Sequence, residues 1–342
     1  MGFSSRRLTL LGWAGLLWVF QGCASAAQPT PQASPASPPE GAEAAEPESA
    51  PAPEPEGPMT PERALEVVAG IEAEWPHDPE DPLLQPKTLA DVEAILKRDQ
   101  VTLFPAAVAF LETFEGGPDE ARDALALHGQ IELAWGEAYM LLLEVLLMVN
   151  RGLDEKIAAW EAQGTDALSA EDQGRLQVSR EVAAQLPRTI EALKLVSFAH
   201  VEAGSQRAHE VIEGHPDNYI GYRVSADFYR MIRDWENFDT MVAELEKLNP
   251  KSNGLLFLKG AHAVQVDKDI ARATRYYRQA LEHDPEFVRA QAHLVLIQPS
   301  VKDMLVELDA LEAKNPAHQL LRWAGDHLRQ AEVMGLAAPA GT

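Results

Sequence analysis

This sequence predicts an all-α fold of antiparallel helix pairs, on three observations. Apolar residues recur at helical spacing, as in Leu65, Val68 and Ile71, and again in Leu89, Val92, Ile95 and Leu96. Beyond residue 60 no stretch sustains the period-2 alternation of a half-buried strand, and no Asn-Gly or Asp-Gly turn lies between β-branched runs. Prolines preceded by His, Asn or Asp end successive segments at Pro216, Pro250, Pro285 and Pro316, with spacings of 34, 35 and 31 residues. A period of that length marks stacked helical units, each unable to bury its apolar face alone, and hence an α-solenoid.

The chain begins differently. Arg6 and Arg7 precede an uncharged apolar run of 13 residues, Leu8 to Phe20. That is shorter than the ~20 residues needed to cross a bilayer core, and it matches the apolar core of an export signal. Gly22-Cys23-Ala24-Ser25 follows, and Cys23 is the one cysteine among 342 residues. The pattern resembles the lipobox of bacterial lipoproteins, although Phe20 and Gln21 stand where Leu and a small residue are usual. The resemblance implies a signal peptide over 1–22 and lipidation of Cys23. With Ala24 rather than Asp next, it also implies an outer-membrane anchor facing the periplasm. Two or more acyl chains, at ~0.8 kcal/mol per buried CH₂, would hold such a protein stably. The alternative is ordinary cleavage after Ala24-Ser25-Ala26, which discards the cysteine and leaves a soluble periplasmic protein.

Residues 23–58 are expected to be a disordered tether. Between 24 and 58 lie 10 of the 24 prolines, six glutamates and no Lys or Arg. Such a composition cannot offset its ordering entropy. In extended form it reaches at most about 110 Å, at ~3.1 Å per residue.

The body opens at Thr60-Pro61-Glu62, an N-cap followed by a first-turn proline. Over 59–216 the spacing predicts divergent helical repeats. Candidate helices are 88–98, 104–115, 118–134, 137–150, 153–162, 169–183 and 187–203, punctuated at Gly116-Gly117-Pro118, Gly152, Gly164 and Gly204. The apolar stretch from Ile131 to Val149 contains Glu132, Glu137 and Glu144, which are costly inside a bilayer. It therefore reads as a helix buried within protein.

From 217 to 316 the period is clearest. Tyr222, Ala226, Tyr229, Val242, Leu245 and Pro250 occupy one unit, and Phe257, Gly260, Ala261, Ala273, Tyr277, Ala280 and Pro285 the next. Small residues let helix backbones approach, aromatics fill the space beside them, and proline stops the second helix. This resembles a tetratricopeptide-repeat protein, with a third, degenerate unit interrupted by Pro299. Ser225 and Phe238 depart from the usual Leu and Ala. Segment 317–342 is expected to be a capping helix and tail, with Leu321, Ala324 and Leu328 inward and Gln319, Arg322, Asp326, Arg329 and Gln330 on other faces.

Composition narrows the chemistry. Asp plus Glu total 53 against 29 Lys plus Arg, a net charge of −24, with no basic stripe for a polyanion, so nucleic acid is not the expected partner. The ten histidines show no H-E-x-x-H spacing, and neither a G-x-S-x-G, a P-loop nor a G-x-G-x-x-G occurs. Neither enzymatic activity, nor a cofactor, nor a metal site is therefore expected. What remains is a surface for a protein or peptide partner. The resemblance implies a concave groove lined by Ile220, Arg223, Asp227, Arg230, Leu258, His262, Gln265 and Arg289, where Arg can pair with carboxylates. The function expected is a membrane-anchored scaffold or adaptor. The alternatives are a lipoprotein that captures a small molecule for a transporter, and an assembly factor for an outer-membrane complex.

Overall fold

The computed structural model describes residues 57–73, 75, 78–315 and 318–333. The chain forms two units, Met1–Pro58 and Met59–Thr342, and every described helix belongs to the second. The expected signal peptide, Cys23, nearly all of the tether and the last nine residues lie outside the described residues. Among those described there are twelve α-helices and no strand.

The first three helices are short, and side chains cap the first two. In α1 (Pro61–Glu72) the Thr60 hydroxyl accepts from the Arg63 amide at 3.4 Å. Helix α2 (Leu89–Arg98) starts with a reciprocal Thr88–Asp91 capping box and ends at Asp99, which turns the chain in the left-handed region at φ 51°. A 3₁₀ turn, Val101–Leu103, leads into α3 (Phe104–Glu112).

Two long helices then dominate: α4 (Pro118–Gln163, 46 residues) and α5 (Ala170–Gly214, 45 residues). At 1.5 Å per residue each runs for roughly 68 Å. Here the structure departs from the sequence reading, which divided the same stretches into five shorter helices. Glycine and proline weaken a helix by amounts that tertiary packing can exceed. Gly152 is buried, and Pro187 lies on an exposed face, where water can reach the carbonyl it leaves unpaired. Flanking Pro187, Leu186, Ile190 and Leu193 are buried in the core. The chain reverses between the two helices at Gly164 (φ 83°), and Ser169 caps α5 by accepting from the Asp172 amide at 3.1 Å.

Small residues set how closely α4 and α5 pack. A Cβ on Gly136 would stand 2.8 Å from the Ser197 carbonyl oxygen and 2.5 Å from Val201 Cγ2. One on Gly204 would meet the Gly129 oxygen and the Leu133 nitrogen, both at 3.0 Å. Gly129 and Gly136 are seven residues apart, as are Ser197 and Gly204, so the near-touching backbones face each other over two turns.

The remaining helices form turned-back pairs: α6 (Tyr219–Met231) with α7 (Trp235–Leu248), and α8 (Asn253–Gln265) with α9 (Ile270–His283). Ala226, Ala261, Ala273, Tyr277 and Ala280 are all buried. Gly260 leaves room for the Tyr277 ring, whose Cε1 lies 2.5 Å from where its Cβ would be. Helices α10 (Val288–Leu296), α11 (Val301–Lys314) and α12 (Gln319–Val333) complete the chain.

Helix α12 joins a buried stripe to exposed Arg322 and Asp326. Leu321 and Leu328 are buried as expected, but in the same core as Ala64, Val92 and Phe104. Gln319, expected off the apolar stripe, is 2% exposed and donates to Thr102 Oγ1 at 2.7 Å. Helix α12 thus packs on α4 and beside the 3₁₀ turn before α3, bringing the last helices back to the first. Replacing Gly136 with Val is expected to cost about 3 kcal/mol, the upper range for overpacking. Gly174→Ala, at an exposed helical position with nothing within 4 Å, should stabilise by about 0.5–1 kcal/mol. Thermal or denaturant unfolding of the two variants checks both signs.

Candidate functional site

The eight residues expected to line a groove come from three helices. On α6, Ile220, Arg223, Asp227 and Arg230 follow at intervals of three and four, so they form one stripe. Leu258, His262 and Gln265 come from α8, and Arg289 from α10. Helix α4 covers the α6 stripe and reaches Gln265 and Arg289, whereas Leu258 packs with Phe238 and Leu245 of α7, and His262 lies on Phe238. Leu258, Asp227, Arg230 and Arg289 are buried, and the other four are half-buried. At Asp227, Arg230 and Arg289 the expected groove wall is instead interior, its charges paired within the chain.

The centre of this packing is Glu137 of α4, 2% exposed. Arg230 donates to Oε1 at 2.8 Å, and Arg289 donates to Oε2. Arg230 Nε also donates to Asp227 Oδ1 at 3.2 Å, and its guanidinium lies 5.5 Å from the centre of the Phe257 ring. On the far side an Arg289 nitrogen is 3.5 Å from Asp99 Oδ1, and Asp99 Oδ2 is 4.0 Å from His318 Nε2. The result is an ionic line, Asp227–Arg230–Glu137–Arg289–Asp99, with His318 beside its last member, joining α6, α4, α10 and the end of α2. Burial alone would raise the Glu137 pKa, but Arg289 and Arg230 outweigh it and lower it. Asp227 moves the other way, raised by burial and by the neighbouring Glu137.

Beside Glu137 lies a cavity of about 80 Å³, lined by Met140, Glu144, Arg230, Arg233, Gln265 and His293 among others. It has room for a few waters. Gln265 Oε1 is buried with no hydrogen-bond partner, and burial followed by the nearby Arg230 brings the His293 pKa down to about 4, keeping the ring neutral at pH 7. Arg223 donates to Gln130 Oε1 of α4 at 3.3 Å, while its Nε has no partner. Ile220 packs on the cluster of Leu133, Val201 and Val224. His262 stacks on Phe238 at 5.7 Å and sits 3.1 Å from Asp267.

Comparison with protein-family models, curated proteins and solved structures finds no match. The residues therefore carry the functional argument alone.

A second polar network went unnoticed in the sequence. Glu132 of α4 accepts from or pairs with His200 Nδ1 of α5 at 2.7 Å, and lies 3.6 Å from His128 Nε2. The His200 ring stacks on Trp135 (centroids 4.1 Å, 19°), Trp135 Nε1 donates to the Tyr139 hydroxyl at 2.7 Å, and that hydroxyl donates to Glu72 of α1. The i,i+4 step from His128 to Glu132 was visible, but only the α4–α5 pairing supplies His200. Burial opposes ionisation of Glu132, yet the hydrogen bonds from His128 and His200 lower its pKa to about 2. At Glu72 burial wins over the Tyr139 hydroxyl, and the pKa is raised. Among the described residues no group of three or more His, Cys, Asp or Glu is arranged to hold a metal ion.

Removing one member of a buried pair leaves the other charge uncompensated. Arg230→Ala is expected to cost about 3–5 kcal/mol, whereas Lys247→Ala, which breaks an exposed pair with Glu244, should cost under about 1 kcal/mol. Chemical denaturation of both variants measures the contrast. The Glu132 pairing predicts a pH dependence of definite sign. A carboxylate whose folded pKa lies below its unfolded value stabilises fully above the unfolded value, and loses that contribution as pH falls through the folded one. Its contribution should fade between about pH 4.5 and 2, and Glu132→Gln should flatten the stability–pH curve in that window.

Proposed function

We propose that this chain is a non-enzymatic, membrane-tethered helical scaffold of tetratricopeptide-like, solenoid-type helix pairs. It would hold a protein or peptide partner on surfaces other than the inner side of those pairs. The observation that supports this reading is the occupied face of α6: α4 lies against it, with Glu137 held by Arg230 and Arg289 as a bound carboxylate would be. Outward-facing helix surfaces are then what the body offers a partner. No described helix is long and apolar enough to cross a membrane. Membrane attachment in this reading rests on lipidation of Cys23, with residues 23–58 providing reach and raising the partner's effective concentration near the surface.

A small-molecule binding role is the second reading. It is favoured by an open crevice of about 420 Å³ between α2, α10 and α12, within the ~300–1,000 Å³ range of ligand sites.

Crosslinking in cells followed by identification of the captured species tests the scaffold. The expected result is a discrete protein partner recovered with the membrane fraction. Cys23→Ser should move the chain to the soluble fraction without abolishing capture in lysates. Unchanged fractionation removes the anchor, and absence of any protein partner removes the scaffold.

A further inference from the structure

A net charge of −24 hides one basic face. Residues 268–278 hold Lys268, Arg272, Arg275 and Arg278 against a single acid, Asp269. No basic stripe was expected from the sequence, yet α9 forms a short one. Ala273, Tyr277 and Ala280 bury one side of α9, which packs against α8 and α10. At 100° per residue, Arg275 and Arg278 fall about 60° apart on the opposite side, and both are exposed. Lys268, in the turn that leads into the helix at φ 55°, is exposed as well. From Lys268 to Arg278 the row runs for about 15 Å. Val266 and Ile270, 41% and 39% exposed, flank its Lys268 end.

The outermost charges of this row are free to pair. With 53 acids to 29 bases, exposed arginines elsewhere find a carboxylate: Arg98 pairs with Asp81, Arg175 with Glu171 and Arg180 with Glu161. Arg272 does the same with Asp267, and Asp269 accepts from the Arg272 amide at 2.8 Å. Arg275 and Arg278 pair with no carboxylate among the described residues. Glu282 follows Arg278 by four residues, the less favourable order for a helical ion pair. Helices α7 and α11, before and after α9, do expose acids: Glu236, Asp239, Asp303 and Glu307.

That contrast selects the occupant. An anionic bilayer is broad and would meet the acids of α7 and α11 together with the row, whereas a narrow acidic segment meets the row alone. Arginine's planar fork pairs two-pronged with carboxylates, and the two exposed aliphatics add an apolar contact at one end. We propose that this face of α9 holds an acidic segment of a protein partner, about 15 Å long, whose carboxylates pair with Lys268, Arg275 and Arg278. This rests on the scaffold reading, in which outward helix surfaces carry the partner.

Fluorescence anisotropy of the full chain with a short labelled peptide, its glutamates at intervals of three and four, tests the face. The same peptide with glutamines is the control. The expected result is saturable binding of the glutamate peptide, about ten-fold or more tighter than the control. Arg275→Glu with Arg278→Glu should remove that advantage and leave the melting temperature nearly unchanged, both positions being exposed. Lys302→Glu reverses an exposed cation on α11, off the face, and should leave binding intact. Vesicles rich in phosphatidylglycerol should take up the wild-type and double-variant chains alike. Crosslinking in cells should lose the captured partner in the double variant. The proposal is overturned by equal binding of the two peptides, by a loss in Lys302→Glu as large as in the double variant, by vesicle uptake that needs Arg275 and Arg278, or by capture indifferent to the double substitution. If the wild-type chain captures no partner, the scaffold reading falls, and the peptide titration still decides the face.

Discussion

A carboxylate that must be buried as an ion fixes the arrangement of this body. Glu137 sits mid-way along a helix whose surroundings from Ala124 to Val149 are almost wholly interior. An ion there is tolerable only if cations reach it in good geometry. Arg230 and Arg289 do so from α6 and α10, elements 93 and 152 residues further along the chain. Helices α6 and α10 must therefore close on α4, and the face that α6 presents there cannot stay open. The same demand propagates outward: Arg289 is shared with Asp99, whose left-handed turn ends α2 and sets the floor beneath His318.

The local rules of the helix pairs were legible in the sequence, and their tertiary consequence was not. Gly260 beside Tyr277, and Ala226, Ala273 and Ala280 at close contacts, pack as their sizes dictated. The stripe Ile220, Arg223, Asp227, Arg230 was correctly placed on one face. What lay opposite that face could not be read, because the carboxylate that meets it is about ninety residues upstream with no periodic relation to the repeats. The long helices were missed for a related reason. Gly152, Pro187 and Gly204 are breakers by local propensity, but two of them are glycines at buried positions, and Gly204 is itself a backbone contact. A small residue at a helix crossing and a small residue at a loop look alike in one dimension.

The Glu132 network shows the same limit from the other side. Within α4 the sequence displays His128, Glu132, Trp135 and Tyr139 at helical intervals, one stripe of polar and aromatic groups on an otherwise apolar helix. Its meaning depends on His200 from α5 and Glu72 from α1, which convert the stripe into a hydrogen-bonded seam between three helices. Two seams on α4 thus divide its circumference: Glu132 and its neighbours fasten α5 and α1, and Glu137 fastens α6 and α10. Five residues separate the two carboxylates, about 500° of helical rotation at 100° each, so they point well apart.

Ionic seams rather than apolar ones have a consequence for specificity. Apolar contacts between helices tolerate sliding, since one leucine replaces another along a ridge at little cost. A buried carboxylate does not, because displacement by one turn would strand it and both arginines without partners. In a body with few side-chain landmarks along two helices of more than forty residues, such pairs select one register among many of similar apolar burial. The glycine contacts at 129, 136 and 204 act in the same direction by steric means, admitting close approach at those positions. Register, in turn, decides whether the last helices return to α2 at the height where His318 meets Asp99. The crevice at that junction is thus a product of the interior charges, and its geometry is only as well defined as their pairing.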